Sequence, residues 1–188
     1  MGEPNQETTS DRLRIMSQGT TATEALAFFD SLPPVQLEEM MGSWSGAEVP
    51  TGHRLDGVLG ILGWQGKRFD GEDSARPLVF QTHTGRGFEV NPGLVPLKLA
   101  LRCAPLLRRR IAGGIVRPVL QLARTTRPRA RLRMMEYRGT VSATMVYDAL
   151  PVNDAFRRVD PNTLLGAMDM REPGPPFVFS LHRMGPPQ

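Results

Sequence analysis

The sequence predicts a mainly β fold: an antiparallel β-barrel with short N-terminal helices and a helical insertion around residues 97–124. Three observations carry that expectation. The last third alternates apolar and polar residues with period two between short turns. Turn formers are abundant throughout, with 19 glycines and 17 prolines. A chain of 188 residues is long enough for a single core that buries about 70% of the unfolded surface. Residues 1–20 are polar and weakly periodic and are expected to be a flexible lead-in, which leaves residues 21–188 as one barrel domain.

Taken in order, Thr23 offers an N-cap to a short helix whose Ala25, Leu26, Phe28, Phe29 and Leu32 share a face, and Pro33-Pro34 ends it. A second short helix fits Val35 to Met41, with Gly42 as its terminator. An extended stretch follows, Gly42-Ser-Trp44-Ser-Gly46, in which the flanking glycines permit close backbone approach around one tryptophan. Leu55, Val58, Leu59 and Leu62 make another helix face that Gly63 closes. Pro77 to Gln81 reads as a buried strand, Thr84 to Gly87 as a hairpin turn, and Phe88 to Val90 as the returning strand.

Leucine, alanine and arginine dominate from Leu97 to Arg124, interrupted by Pro105, Gly113-Gly114 and Pro118. Arg110, Arg117 and Arg124 recur every seven residues as one helical stripe beside apolar surface. Strands are then expected at 131–137, 140–147, 152–159, 164–170 and 177–182, with Gly139, Pro161-Asn162 and Glu172 to Pro176 as turns.

Charge is laid out unevenly. Between Lys98 and Arg133 there are 11 Lys/Arg and no acid, whereas the remainder holds 12 basic against 19 acidic residues. That run leaves open a peripheral contact of 98–133 with an anionic membrane. No Phe, Tyr or Trp interleaves it to stack on bases, which argues against nucleic acid. No apolar run approaches the ~20 residues of a membrane-spanning helix. The N-terminus has neither a basic start nor an apolar stretch after it, so a cytoplasmic location is expected. One cysteine, Cys103, allows no intrachain disulfide.

Phosphate loops, serine-nucleophile elbows and zincin motifs are absent, and His53, His83 and His182 have no metal-site spacing, so neither a metal nor a cofactor is expected. Asp154 and Asp169 sit inside β patterns. A carboxyl that faces an apolar pocket has its charged form disfavoured and becomes a candidate proton donor. The structural alternative pairs each with a nearby arginine, Arg138, Arg157 or Arg158. In Trp64-Gln-Gly-Lys67-Arg68-Phe69-Asp70, cations mix with aromatics, which suits either an anionic ligand group or surface ion pairs with Asp56, Glu72 or Asp73.

The blocks Gly42-Ser-Trp44-Ser-Gly46, Gly52-His53-Arg-Leu-Asp56-Gly57, Leu62-Gly-Trp64-Gln-Gly-Lys67-Arg68-Phe69 and Pro77-Leu-Val-Phe80 resemble the GXWXG-domain family, over about 22–82. Arg131 to Gly139, Met145 to Asp148, Val152 to Asp160 and Leu165 to Asp169 resemble its companion C-terminal domain of unknown function, over about 125–183. A Gly-x-Trp first strand is also similar to lipocalins and other calycin barrels. By analogy that likeness implies a barrel holding an apolar molecule.

The leading expectation is therefore binding of a hydrophobic or amphiphilic small molecule, lipid or terpenoid-like. Trp44, His53, Trp64, Phe88, Tyr137, Met145, Tyr147 and Phe156 are the wall candidates, and Lys67 or Arg68 would hold a polar head. The alternative is a cofactor-independent cyclase or isomerase in the same pocket, with Asp154 or Asp169 as general acid and aromatics facing developing positive charge.

Overall fold

The computed structural model describes residues 8–82, 85–108, 110–171 and 174–185, and at 97, 98 and 110–112 the backbone alone. His83, Thr84, the Glu172-Pro173 part of the last turn, and the side chains of Lys98 and Arg110 lie outside this description. Nine strands form: β1 (Gly42–Glu48), β2 (Trp64–Gly71), β3 (Ser74–Gln81), β4 (Gly87–Glu89), β5 (Ala130–Tyr137), β6 (Thr140–Tyr147), β7 (Val152–Asp160), β8 (Thr163–Met170) and β9 (Phe177–Met184). Every pairing is antiparallel. The order β2-β1-β9-β8-β7-β6-β5-β3, closed by β2 against β3, makes an eight-stranded barrel that β4 extends as an edge strand on β3. Closure removes the exposed edges that an open sheet would leave.

The β5–β6 hairpin is the most regular piece, with eight consecutive residue pairs from Ala130–Tyr147 to Tyr137–Thr140. Its two-residue turn has both Arg138 (φ 53°) and Gly139 (φ 75°) in the left-handed region, the geometry whose twist matches flanking strands. Elsewhere the wall is thin. β6 and β7 share three registered pairs, and beyond them the strands part. Pro33 to Val35 fills that gap: the Ala143 N–H donates to the Val35 carbonyl, the Arg158 N–H to the Pro33 carbonyl, and the Val35 N–H to Ser142 Oγ.

Side chains from alternate strand positions point into the interior, among them Trp44, Phe69, Leu132, Met145, Phe156, Phe177 and Phe179, all fully buried. Two glycines make room for rings. A Cβ on Gly46 would lie 2.3 Å from the Trp64 indole, and one on Gly166 would lie 2.4 Å from the Phe179 ring.

Helices cover both the ends and part of the outside. α1 (Thr9–Met16) and α2 (Ala22–Ser31) lie on the outer face of β7–β9, where Leu13, Met16, Phe28 and Phe29 meet Ala155, Leu165, Ala167 and Val178. The expectation of a flexible lead-in over 1–20 is thus corrected at 9–16. Thr8 caps that helix by accepting from the Asp11 N–H, and its two inward apolar side chains suffice to dock it. The cap of α2 is Thr21 rather than Thr23, in a reciprocal capping box with Glu24. A 3-10 turn, Glu38–Met40, replaces the helix expected at 35–41. At the opposite end, α3 (Val58–Leu62), α4 (Leu97–Leu107) and α5 (Arg110–Leu120) close the barrel. No helix among the described residues is long and apolar enough to cross a membrane.

Candidate functional site

Strand alternation aims Lys67 of β2, Tyr147 of β6 and Asp154 of β7 at one another across the barrel interior. Lys67 Nζ lies 2.8 Å from Asp154 Oδ2, 3.4 Å from the Tyr147 hydroxyl and 3.3 Å from the Pro77 carbonyl, donating to all three. The Tyr147 hydroxyl donates to the same Asp154 oxygen at 3.2 Å. The side chains of Lys67 and Asp154 are 3% and 0% exposed, so the pair is enclosed. Aromatic faces surround the ammonium, with ring centres at 4.9 Å (Phe179), 5.6 Å (Trp64) and 5.8 Å (Tyr147).

Burial pushes the Asp154 carboxyl above its ordinary range, opposed by the Lys67 charge and by the hydrogen bonds from Lys67 and Tyr147. Burial, reinforced by the Asp154 charge, pushes the Tyr147 hydroxyl well up. Two polar atoms of this cluster are buried without a partner among the described residues: Asp154 Oδ1, an acceptor, and Trp64 Nε1, a donor. Nearly all buried polar groups are hydrogen-bonded, so these two atoms keep hydrogen-bonding capacity that the described residues do not use.

The other candidates separate into groups. Trp64, Met145, Tyr147 and Phe156 belong to the interior cluster with Asp154. Phe88 stacks on Phe80, ring centres 6.0 Å apart, in the same apolar core. Trp44 is the cross-strand partner of Lys67 on β1: its indole N–H donates to the Met40 carbonyl at 2.8 Å, and the Arg183 guanidinium sits 4.2 Å from its ring centre. His53 is buried in the loop after β1, its ring 5.5 Å from Phe177, with Nδ1 accepting from the Leu55 N–H and burial lowering its pKa.

Three expectations are corrected by strand parity. Asp169 is exposed on the outer face of β8, so its carboxyl faces water rather than an apolar pocket. Tyr137 points outward against Phe29 of α2, ring centres 6.1 Å apart. Arg68 is also outside, paired with Asp70 at 2.8 Å along an open groove of about 550 Å³ that Gln65, Arg76, Glu89 and Thr125 help to line. Arg157, a suggested partner for the carboxylates, instead donates to the carbonyls of Phe156, Tyr137 and Thr140.

Sequence reasoning missed Glu48. From the end of β1 its carboxylate accepts from the Gly57 N–H and, at 2.9 Å, from the Gly60 N–H, tying α3 to the barrel mouth. Burial raises its pKa. The glycine-flanked turn ahead of Val58 was the available signal. Among the described residues no group of three His, Cys, Asp or Glu side chains is placed to hold a metal ion.

A crystal structure of a protein from Thermomonospora curvata is similar over 94% of this chain and 98% of that one, at 28% sequence identity with a TM-score of 0.69. Among curated proteins none matches. Residues 27–85, which carry β1 to β3, match the family model of GXWXG proteins. Residues 128–183, which carry β5 to β9 up to Arg183, match that of the domain of unknown function DUF4334. The two matches supply the two arcs of one closed barrel, so the chain resembles GXWXG proteins over its first arc and the DUF4334 domain over its second.

Proposed function

We propose that the barrel binds a small apolar or amphiphilic molecule, lipid or terpenoid-like, whose one polar group meets the Lys67–Tyr147–Asp154 cluster. The observation that carries this reading is the pair of unpartnered buried atoms, Asp154 Oδ1 and Trp64 Nε1, set among aromatic rings. An acceptor and a donor beside a paired ammonium complement a hydroxyl, and the rings complement a hydrocarbon body. Entry is from the helix-covered end, where Leu101, Val116 and Leu120 of α4 and α5 join the barrel core.

The chain has two tryptophans, and only Trp64 has an indole N–H left without a partner. Titration with isoprenoid alcohols of increasing length is expected to change tryptophan emission saturably in the wild type and to lose that change in Trp64→Phe. Native mass spectrometry of gently purified protein is expected to show a retained small molecule. A flat titration together with a bare mass defeats the reading.

The raised pKa of Asp154 favours a second reading, in which the protonated carboxyl starts a cyclisation or isomerisation of the bound molecule. Asp169 has no part in it. Asp154→Asn would then retain binding and lose turnover; a bound molecule recovered unchanged from the wild type leaves binding as the whole function.

A further inference from the structure

α4 and α5 each carry two apolar faces, and the barrel uses one. Inward, Leu101, Ala104 and Leu107 of α4 and Val116 and Leu120 of α5 join the core. Outward, Leu99 and Leu106 of α4 are 55% and 59% exposed. Ile115 and Val119 of α5 are 65% and 58% exposed, and Leu122 in the next turn is 85% exposed. Positions 115, 119 and 122 fall at i, i+4 and i+7, so they share one stripe. Together with Leu94, these are six of the nine large apolar side chains most exposed among the described residues, gathered in under 30 positions. Such clustering marks an interaction surface, whereas scattered exposed leucines do not.

The charge around it selects the partner. All 11 Lys/Arg between 98 and 133 stand without a single acid in the run. Some serve the fold: Arg117 donates to the Ile61 carbonyl at the end of α3, and Arg108 to the carbonyls of His53 and Arg54. Arg102, Arg124 and Arg127 are exposed and have no carboxylate partner among the described residues. A second copy of the chain would set this cationic surface against itself. An anionic lipid surface takes both features, apolar side chains at the headgroup boundary and guanidinium groups on phosphates.

We infer that the outer face of α4, α5 and the turn to Ala123 is a docking surface for an anionic membrane, which the lid of the barrel would then lie upon. The inference stands apart from what the interior binds. The test is co-sedimentation of the full chain with vesicles of phosphatidylcholine alone and of phosphatidylcholine mixed with phosphatidylserine, at low and high salt. Binding to the anionic vesicles is expected to exceed binding to the neutral ones by about tenfold or more and to weaken with salt. The triple variant Ile115→Ser, Val119→Ser, Leu122→Ser alters only exposed side chains, and it is expected to lower partitioning by about tenfold or more while circular dichroism and isoprenoid-alcohol binding are unchanged.

Equal binding to both vesicles, binding to neither, or anionic binding that the triple variant leaves intact overturns the inference. So does concentration-dependent self-association that the same three serines abolish without any vesicle binding. Loss of isoprenoid-alcohol binding in the wild type with vesicle binding intact defeats the function proposed above and not this surface.

Discussion

Two cations are taken out of water on opposite sides of the barrel wall, and the protein treats them differently. Inside, Lys67 meets a carboxylate at 2.8 Å and a phenol at 3.4 Å, within a cage of aromatic faces. Outside, beneath α2, Arg157 is 0% exposed and has no carboxylate in hydrogen-bond range among the described residues. It donates to backbone carbonyls at 3.0 to 3.4 Å, and its guanidinium lies 4.7 Å from the Phe29 ring centre. The planar fork of arginine spreads its charge over several carbonyls, while the compact ammonium of Lys67 is set against a carboxylate with a phenol and a carbonyl beside it. The outer site is therefore built into the wall as a strut. The inner one brings an ammonium, a carboxyl and a phenol together at one point of the barrel interior.

Breaking the inner pair has the largest expected effect. Lys67→Ala leaves Asp154 buried without its counter-charge and is expected to cost about 3–5 kcal/mol in urea unfolding. The double variant Lys67→Met, Asp154→Leu removes both charges together and is expected to recover most of that loss, because an apolar pair of similar volume suits the surrounding rings. A cost under about 1 kcal/mol for the single variant would mean that the interior is wet enough to solvate the carboxylate alone.

Next comes the space that the rings require. Gly46→Ala puts a methyl against the Trp64 indole, whose neighbours Phe179 and Gly46 already confine it. A loss of about 1–3 kcal/mol with altered Trp64 emission is expected. The strut outside should matter less than the pair inside: Arg157→Met keeps the stem under Phe29 and gives up hydrogen bonds to carbonyls, for about 1–2 kcal/mol. A cost equal to that of Lys67→Ala would erase the distinction between the two sites.

How much of this was legible in the sequence also differs between the two halves of the wall. β5 to β9 are readable because period two runs unbroken between turns, and Ala143, Met145 and Tyr147 point inward as their spacing says. Which face was the inner one was harder to read on β8, because α1 and α2 bury its outer side as well. With both faces apolar, Asp169 looked no different from Asp154 until the partner strands were known. β2 failed for another reason. Register shifts against β3 on both sides of Gly66 leave both Gly66 and Lys67 buried, so parity counted from Trp64 puts Lys67 and Arg68 on the wrong faces. The lead-in helix α1 shows only Leu13 and Met16 inward, too few to register as a periodic face, although Thr8 followed by Asp11 is a readable cap. The central feature, a lysine and an aspartate 87 residues apart in one ion pair, is a product of barrel closure and has no local signature.

The smallest effect tests whether burial or charge pairing governs the inner site. Because the native carboxyl of Asp154 is pushed above its unfolded range, near about 3.9, the folded state holds its proton more tightly than the unfolded state does. Its contribution to stability is then fully present below that range and is lost as pH rises through the native value. Asp30 and Asp160 have lowered pKa values and contribute with the opposite sign, losing stability as pH falls, and Glu48 contributes with the same sign as Asp154. Subtraction cancels all three. The stability of the wild type minus that of the Lys67→Met, Asp154→Leu variant, followed by urea unfolding between about pH 3 and 7, is expected to decline with rising pH and then level off. A difference that grows with pH instead would show that the Lys67 ammonium, rather than burial, sets the charge state of Asp154. It would leave the inner site as fixed an ion pair as the outer one is a fixed strut, with no proton to give to a bound molecule.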